Sequence, residues 1–196
     1  MHLANPRFKN KYKYLVFYKP FGVLSSFTDP ENRPTLKGFI PDSEVYPAGR
    51  LDMDSEGFLF LTNDGNLIHQ ITHPYYHLPK TYLVQVDGIM SPQAMRNMEM
   101  GVSYGGNKTR GCQIIQIPKP EIPERQVPVV AHGPVQWLRI VLREGKKRQI
   151  RHMTAAVGFP TLRLIRVAIG PIGLNDLQPG EWRALTPYEI GLLCIH

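Results

Sequence analysis

An arginine and three acids within seven consecutive residues form the part of the chain best suited to chemistry. Arg50 precedes Asp52 by two positions, and Asp54 and Glu56 follow at the same spacing. An oriented, ionised carboxylate can act as a nucleophile when a rigid scaffold holds it. The alternative is a solvated acidic loop, which the spacing alone favours. A hydrolase that pairs Asp52 with Asp54 or Glu56 is a further alternative.

The element that must hold these groups follows them directly. Residues 58–61 form a continuous apolar run, Phe-Leu-Phe-Leu, which predicts a strand buried on both faces. The sequence Asn63-Asp64-Gly65 is typical of a turn and closes that strand. Arg50 and Asp52 are therefore expected on the loop that enters a rigid buried element, a location that suits catalytic groups.

The rest of the chain mixes strands and helices without strict alternation, which favours an α+β fold with a mainly antiparallel sheet. We predict strands over residues 14–18, 81–86 and 137–142 from their β-prone or alternating patterns. Cap residues and helical spacing predict helices over residues 35–40, 67–72, 91–101 and 148–157. Five prolines between residues 117 and 134 predict an extended loop.

Length and composition are those of a globular domain. The chain has 196 residues, of which 42% are hydrophobic and 20% charged, and no apolar run is long enough to span a membrane. The first residues lack the apolar segment of a secretory signal. Cys112 and Cys194 are the only cysteines, too few for a disulfide framework, so we expect a cytoplasmic protein.

The charge balance predicts a polyanionic partner. The formal net charge is +7 at pH 7, and the isoelectric point is about 9.5. Basic residues form two clusters: Arg7, Lys9, Lys11 and Lys13 near the start, then Arg143, Lys146, Lys147, Arg148 and Arg151. Each cluster alone could be a solvated surface, but two clusters on either side of the acidic motif favour nucleic-acid binding.

The segment from Gly49 to Gly65 closely resembles the signature of the ribosomal RNA pseudouridine synthases. It begins Gly-Arg-Leu-Asp, continues through Ser-Glu-Gly and ends Leu-Thr-Asn-Asp-Gly. Ser55 stands where many members have threonine, and the hydroxyl is kept. The resemblance implies a pseudouridine synthase catalytic fold with two subdomains and a central cleft. It also implies that Asp52 is the catalytic aspartate and that the enzyme needs neither a metal nor another cofactor.

Four further segments resemble motifs of the same family: residues 14–23, 80–88, 144–153 and 164–171. The first is expected to shape the cleft. By this resemblance the ring of Tyr82 stacks on the target base, and its hydroxyl lies where it could take the C5 proton. The alternative for Tyr82 is an ordinary half-buried strand tyrosine.

The resemblance assigns the basic residues to the catalytic acid and to RNA. Arg151 is expected to form an ion pair with Asp52, which would hold that carboxylate ionised and oriented. Arg50 is expected to enter the RNA stack where the uridine leaves, and a phosphate contact or an internal ion pair is the alternative. The residues expected to contact RNA or the target base are Arg50, Lys19, Lys80, Lys147, Arg148, Leu164 and Arg166.

His69, His73 and His77 form a competing constellation, since histidines four residues apart on a helix have the spacing of metal ligands. Pro74 interrupts the helix before His77, and no acid or cysteine nearby supplies an obvious further ligand. We therefore expect surface or RNA-facing histidines and no metal.

The expected organisation is a flexible basic arm over residues 1–12 followed by a catalytic domain over residues 13–196. Many members of the family carry a small RNA-binding domain before the first motif, and this chain is expected to lack one. In that respect, and in the sequences of residues 161–166 and 180–183, the chain resembles the stand-alone branch of the family that acts on 23S ribosomal RNA. We expect a monomer with ribosomal RNA as its partner. The remaining alternative is a non-catalytic RNA-binding module.

Overall fold

A computed structural model describes residues 12–42 and 44–193. The described strands are β1 Tyr14–Lys19, β2 Tyr46–Pro47, β3 Glu56–Thr62, β4 Lys80–Asp87, β5 Ser103–Tyr104, β6 Asn107–Lys108, β7 Gln113–Ile117, β8 Val135–Leu142, β9 Thr161–Ile169, β10 Ile172–Gly173 and β11 Trp182–Ala184. The helices are α1 Gly65–Thr72, α2 Pro92–Glu99, α3 Gln149–Ala156 and α4 Pro187–Leu193. Residues 1–11 of the predicted arm lie outside the described residues.

The described strands form a nine-stranded sheet and a separate β5–β6 hairpin. The main path runs β11-β1-β3-β9-β4-β8-β7, while β2 pairs with β3 and β10 with β9. Among these pairings only β3–β9 is parallel. The predicted α+β fold with a mainly antiparallel sheet is confirmed.

The parallel pairing of β3 with β9 joins the two halves of the sheet over a short stretch of residues. It pairs Glu56 with Ile165 and Gly57 with Arg166. Gly57 has a φ of +101°, and a Cβ at this position would lie 2.2 Å from the carbonyl oxygen of Arg166. Only glycine permits that approach, so the Glu-Gly pair of the motif fixes the place where the two halves meet.

Strand β3 is buried along its whole length, as its apolar run predicts. Phe58 and Phe60 pack into a core that includes α1 and α4. Leu59 and Leu61 point the other way, into a cluster with Leu36 and neighbouring apolar residues. Because both faces are covered, β3 is a rigid support for the loop that precedes it.

The second half of the sheet has its own core, in which β4 and β8 pack against α2 and α3. Helix α2 begins where its sequence predicts, since the Ser91 hydroxyl accepts a hydrogen bond from the Ala94 amide at 3.2 Å and Pro92 occupies the first turn. Gly101, at a φ of +85°, follows its C-terminus.

Two predicted helices differ from the observed ones. The helix predicted over residues 35–40 is a single 3₁₀ turn, Leu36–Gly38, because so short a segment cannot sustain an α-helix without further packing. The helix predicted from Arg148 begins at Gln149, and Arg148 is its N-cap with a φ of +53°. Residues 118–134 contain neither helix nor strand, as their prolines predict. Across the described chain, no helix is long and apolar enough to cross a membrane.

Candidate active site

A cleft of about 600 Å³ opens where the two halves of the sheet meet. Its walls come from the loop before β3, the start of α3 and the adjacent strands β4 and β9. The predicted site residues that line it are Arg50, Asp52, Lys80, Tyr82, Lys147, Arg148, Leu164 and Arg166. The fold therefore gathers groups that are more than a hundred residues apart in sequence.

The loop that carries Asp52 is tied to its surroundings by its own main chain. The Ser25 hydroxyl donates to the Leu51 carbonyl at 2.9 Å and accepts from the Leu51 amide at 3.1 Å. The Gly22 amide donates to the Met53 carbonyl at 2.8 Å, and the Ser55 amide to that of Asp52 at 3.0 Å. These bonds orient the Asp52 side chain, which is about one third exposed, toward the cleft.

The arginines pair differently from the prediction. Arg151 forms its ion pair with Asp54 rather than with Asp52: Nε of Arg151 lies 3.3 Å from Oδ2 of Asp54. Its two Nη atoms donate to the carbonyl oxygens of Asp54 at 2.8 Å and Thr161 at 3.2 Å. Asp52 has its ion pair with Arg148, whose Nη1 is 4.0 Å from Oδ2. The expected Arg151–Asp52 pair is thus corrected to a pair with Asp54.

Asp54 also receives both arms of the Arg148 guanidinium, at 2.9 and 2.8 Å. Burial by itself would raise the pKa of Asp54, but the Arg148 hydrogen bonds and the charges of both arginines outweigh it and lower the pKa. The same contact raises the pKa of Arg148. Asp54 is therefore held as an anion between two guanidiniums.

Tyr82 and Leu164 form an apolar part of the cleft wall. They lie on the adjacent strands β4 and β9, and both are buried except for the surface that lines the cleft. In the strand register Tyr82 lies opposite Arg166. A planar base entering the cleft would meet an aromatic ring and an aliphatic side chain, the surface that base stacking requires.

Lys19 does not line the cleft. Its side chain is fully buried, and its ammonium donates to the carbonyl oxygens of Val23 at 2.7 Å, Pro20 at 2.9 Å and Met53 at 3.5 Å. Burial lowers the pKa of Lys19 to about 7, against the charges of nearby acids. The predicted RNA contact is wrong for this residue, because the buried Lys19 side chain instead ties β1 and its turn to the loop that carries Asp52.

Lys80 and Arg166 do reach the cleft. Lys80 is half-buried and donates to the Leu78 carbonyl at 3.2 Å, and burial followed by the charge of Arg166 lowers its pKa to about 8. Arg166 is buried and donates from Nε to the Phe58 carbonyl at 2.8 Å. Its Nη2 has no hydrogen-bond partner within the described residues. Arg50 and Lys147 are exposed at the rim.

Glu56 is not available as a second catalytic acid. It is buried and forms a bidentate ion pair with Arg163, with nitrogen–oxygen distances of 2.9 and 2.8 Å. Arg163 also donates to the Pro123 carbonyl at 2.9 Å, which anchors the proline-rich loop beneath the site. The alternative of a hydrolase that uses Asp52 with Glu56 is therefore incompatible with the geometry.

The sequence did not indicate two contacts beside the cleft. Arg163, absent from the predicted site, supports the loop through Glu56. Arg125 of the proline-rich loop lies over the ring of Phe21, 4.2 Å from its centroid. Phe21 belongs to the Lys-Pro-Phe-Gly turn, which the sequence predicted to shape the cleft. That expectation was the only sequence signal that pointed to this contact.

The three histidines do not form a metal site. The rings of His69 and His73 lie 4.7 Å apart, but Nδ1 of His77 faces the Arg110 guanidinium at 2.9 Å. A cation at that position opposes metal binding. Among residues 12–42 and 44–193, no group of three His, Cys, Asp or Glu residues could hold a metal ion.

The cleft and its sheet define the class of protein. Residues 13–156 match the model of the RNA pseudouridylate synthase family. A solved pseudouridylate synthase structure has the same fold, with a TM-score of 0.77 and 29% identity over 93% of this chain and 74% of that one. The chain therefore belongs to the RNA pseudouridylate synthase family, whose enzymes isomerise uridine in RNA. The family indicated by the sequence motifs is confirmed.

Several named members of the family are similar to this chain over most of its length. Ribosomal large subunit pseudouridine synthase E of Vibrio vulnificus is 47% identical over 176 residues, which cover 89% of this chain and 75% of that protein. The protein of the same name from Xanthomonas campestris is 46% identical over 170 residues, covering 84% and 91%. Ribosomal large subunit pseudouridine synthase B of Bacillus subtilis is 32% identical over 181 residues, covering 90% and 69%.

Proposed function

We propose that this enzyme converts one uridine of large-subunit 23S ribosomal RNA to pseudouridine, with Asp52 as the catalytic carboxylate. The proposal rests on the position of Asp52, the carboxylate of the acidic loop that faces the cleft without a close ion pair. The nearest guanidinium nitrogen, Nη1 of Arg148, is 4.0 Å from its Oδ2. The names of the relatives support ribosomal RNA as the substrate. A cytoplasmic location and a monomeric state remain predictions.

The proposed reaction needs the uridine outside the RNA stack. The flipped base would lie between Tyr82 and Leu164, while Arg50 at the rim fills the gap that the base leaves. The bond between N1 and C1′ breaks, the ring turns, and a bond forms between C5 and C1′. The C5 proton is then lost and N1 takes up a proton, so that the product is an isomer of the substrate; the hydroxyl of Tyr82 is the proposed acceptor of the C5 proton and passes its own proton on. Asp52 acts either by attack on C1′ or C6 or by promoting a glycal intermediate.

The RNA backbone would follow the positive rim of the cleft. Arg50, Lys146 and Lys147 line this rim, and Arg148 stands beside them at the start of α3. Phosphate contacts of this kind supply affinity and hold the RNA in register. The proline-rich loop, with Arg125 stacked on Phe21, and the basic N-terminal arm are proposed to extend this path.

The deciding experiment measures tritium release from uridine C5 in 23S ribosomal RNA. Wild-type enzyme is expected to release tritium, and Asp52→Asn to release none while binding RNA with unchanged affinity. Asp176→Asn removes an exposed acid from a surface turn and is the matched control, expected to behave as wild type. Full activity in Asp52→Asn would refute the assignment, and release from 16S but not 23S RNA would refute the substrate.

A further inference from the structure

Four aromatic rings lie together on the surface, at the end of α1 and in the turn that follows it. The ring centroids of His69 and His73 are 4.7 Å apart, and those of Tyr75 and Tyr76 are 5.5 Å apart. The Tyr76 ring also contacts both histidines, at centroid distances of 5.9 and 6.4 Å. We call these four residues the aromatic platform. Tyr76 is half-buried, but the other three are exposed, Tyr75 by 76%.

Local structure holds the aromatic platform outside the core. Leu67 and Ile71 are the buried residues of α1, so the two histidines lie on the opposite side of the helix. Pro74 then ends the helix and begins a 3₁₀ turn, in which the Tyr75 amide donates to Nδ1 of His73 at 3.3 Å. A contiguous group of exposed rings, unlike a single exposed apolar residue, indicates an interaction site.

The charges around the aromatic platform indicate the kind of partner. Residues 65–86 contain no aspartate or glutamate. Nη1 of Arg110 lies 2.9 Å from Nδ1 of His77, and Nη1 of Arg143 donates to the His77 carbonyl at 3.4 Å. Both arginines are exposed, and neither guanidinium has an ion pair within the described residues. The nearby Glu144 accepts from the Arg110 amide at 2.9 Å. Exposed rings beside unpaired cations suit a single-stranded nucleic acid, whose bases stack and whose phosphates bind arginine.

The aromatic platform continues the wall of the cleft. Ile71 and Thr72, the last residues of α1, line the cleft, and His73 follows them directly. A Cβ at Gly49 would lie 3.6 Å from Cγ2 of Thr72, so the end of α1 abuts the loop that carries Arg50. The platform therefore begins at the edge of the cleft, within reach of a nucleotide next to the flipped uridine.

We propose that the aromatic platform stacks on an unpaired base of the substrate RNA beside the cleft, with Arg110 and Arg143 on the adjoining phosphates. The inference rests on the proposed action on ribosomal RNA and adds a binding site outside the cleft. Tyr75 supplies the stacking ring, since most of its surface is exposed. Stacking accepts every base, because each has a flat aromatic face. The platform therefore selects RNA in which a nucleotide beside the target is unpaired, without reading its identity.

The test compares a single-stranded oligouridylate with its duplex with oligoadenylate, in which the bases are hidden. Tyr75→Ala is expected to raise the dissociation constant of the single strand about tenfold and to leave that of the duplex unchanged. Tyr75→Phe keeps the ring and should retain wild-type affinity, whereas Tyr75→Leu keeps only an apolar side chain and should bind like Tyr75→Ala. Tyr188→Ala is the matched control, because Tyr188 is 75% exposed on α4, outside the cleft and the platform.

The salt dependence separates stacking from charge. Tyr75→Ala should keep the wild-type slope of log Kd against log salt concentration, because a stacked ring releases no counterions, whereas Arg110→Gln should reduce that slope by about 0.7. Single-strand affinity in Tyr75→Ala equal to that of wild type would overturn the proposal and favour a protein partner. An equal loss on the duplex, or in Tyr188→Ala, would overturn it as well.

Tritium release by the wild type from 23S ribosomal RNA tests the proposed function separately, because it requires no change at Tyr75. If the wild type releases none while Tyr75→Ala loses single-strand affinity, the ribosomal substrate is wrong and the stacking site stands. If the wild type is active and Tyr75→Ala binds the single strand as tightly, only the stacking site fails.

Discussion

The ammonium of Lys19 lies wholly inside the protein, where its partners are main-chain carbonyl oxygens. Its folded-state pKa of about 7 is well below the value near 10.4 of an unfolded lysine. The folded protein therefore binds fewer protons than the unfolded chain between these two values. Stability must rise with pH across that window, and below pH 7 the contribution of Lys19 no longer changes.

Substitution of Lys19 by methionine should remove this pH dependence. Between pH 7 and pH 9, the free energy of unfolding of wild type is expected to gain about 2 kcal/mol relative to Lys19→Met. Urea unfolding at both pH values measures the difference. Lys80, whose pKa is also lowered, is present in both proteins and cancels. A constant difference between the two proteins would show that Lys19 is not the titrating group.

At the scale of elements, the β3–β9 junction depends on a buried ion pair. Glu56 begins β3, Arg163 lies on β9, and Arg163 also holds the proline-rich loop through Pro123. Removal of one partner leaves an unpaired buried charge, which costs far more than the loss of a surface pair.

Glu56→Gln is therefore expected to lower the free energy of unfolding by about 3–5 kcal/mol. Glu56→Leu combined with Arg163→Met should be considerably less harmful, since both charges are then absent. Urea midpoints of the three proteins provide the comparison. Equal losses in the single and double variants would contradict a role for the unpaired charge, and a catalytic defect in Glu56→Gln without destabilisation would revive Glu56 as a reacting acid.

The same elements show what the sequence could predict. Strand β3 and helix α2 follow from an apolar run and from cap residues, which are local properties. Strand β9 was not predicted because Arg163 and Arg166 interrupt its apolar pattern, and their burial depends on partners distant in sequence, chiefly Glu56 and Phe58 on β3. Arg148 and Arg151 pair with Asp54, which is more than ninety positions away in sequence. The sequence motifs therefore identified the charged residues of the site but not which of them pair.

At the scale of the whole molecule, the excess positive charge is unevenly distributed. Away from the cleft, Lys13 pairs with Asp42 and Glu44, and Arg33 pairs with Asp29 and Glu31. At the rim, Arg50, Lys146 and Lys147 have no ion pair within the described residues. The positive charge is thus most available to phosphate at the rim of the cleft, the proposed entry of the target uridine.

This distribution predicts how RNA binding depends on salt. Each lost phosphate contact should reduce the slope of log Kd against log salt concentration by about 0.7–1. Arg148→Gln and Arg125→Gln are expected to show this reduction, the first at the cleft and the second on the proline-rich loop. Arg33→Gln carries the same charge change but removes an arginine already paired with acids, so its slope should equal that of wild type. A reduced slope in Arg33→Gln would indicate a general charge effect, and an unchanged slope in Arg125→Gln would exclude that arginine from the RNA path.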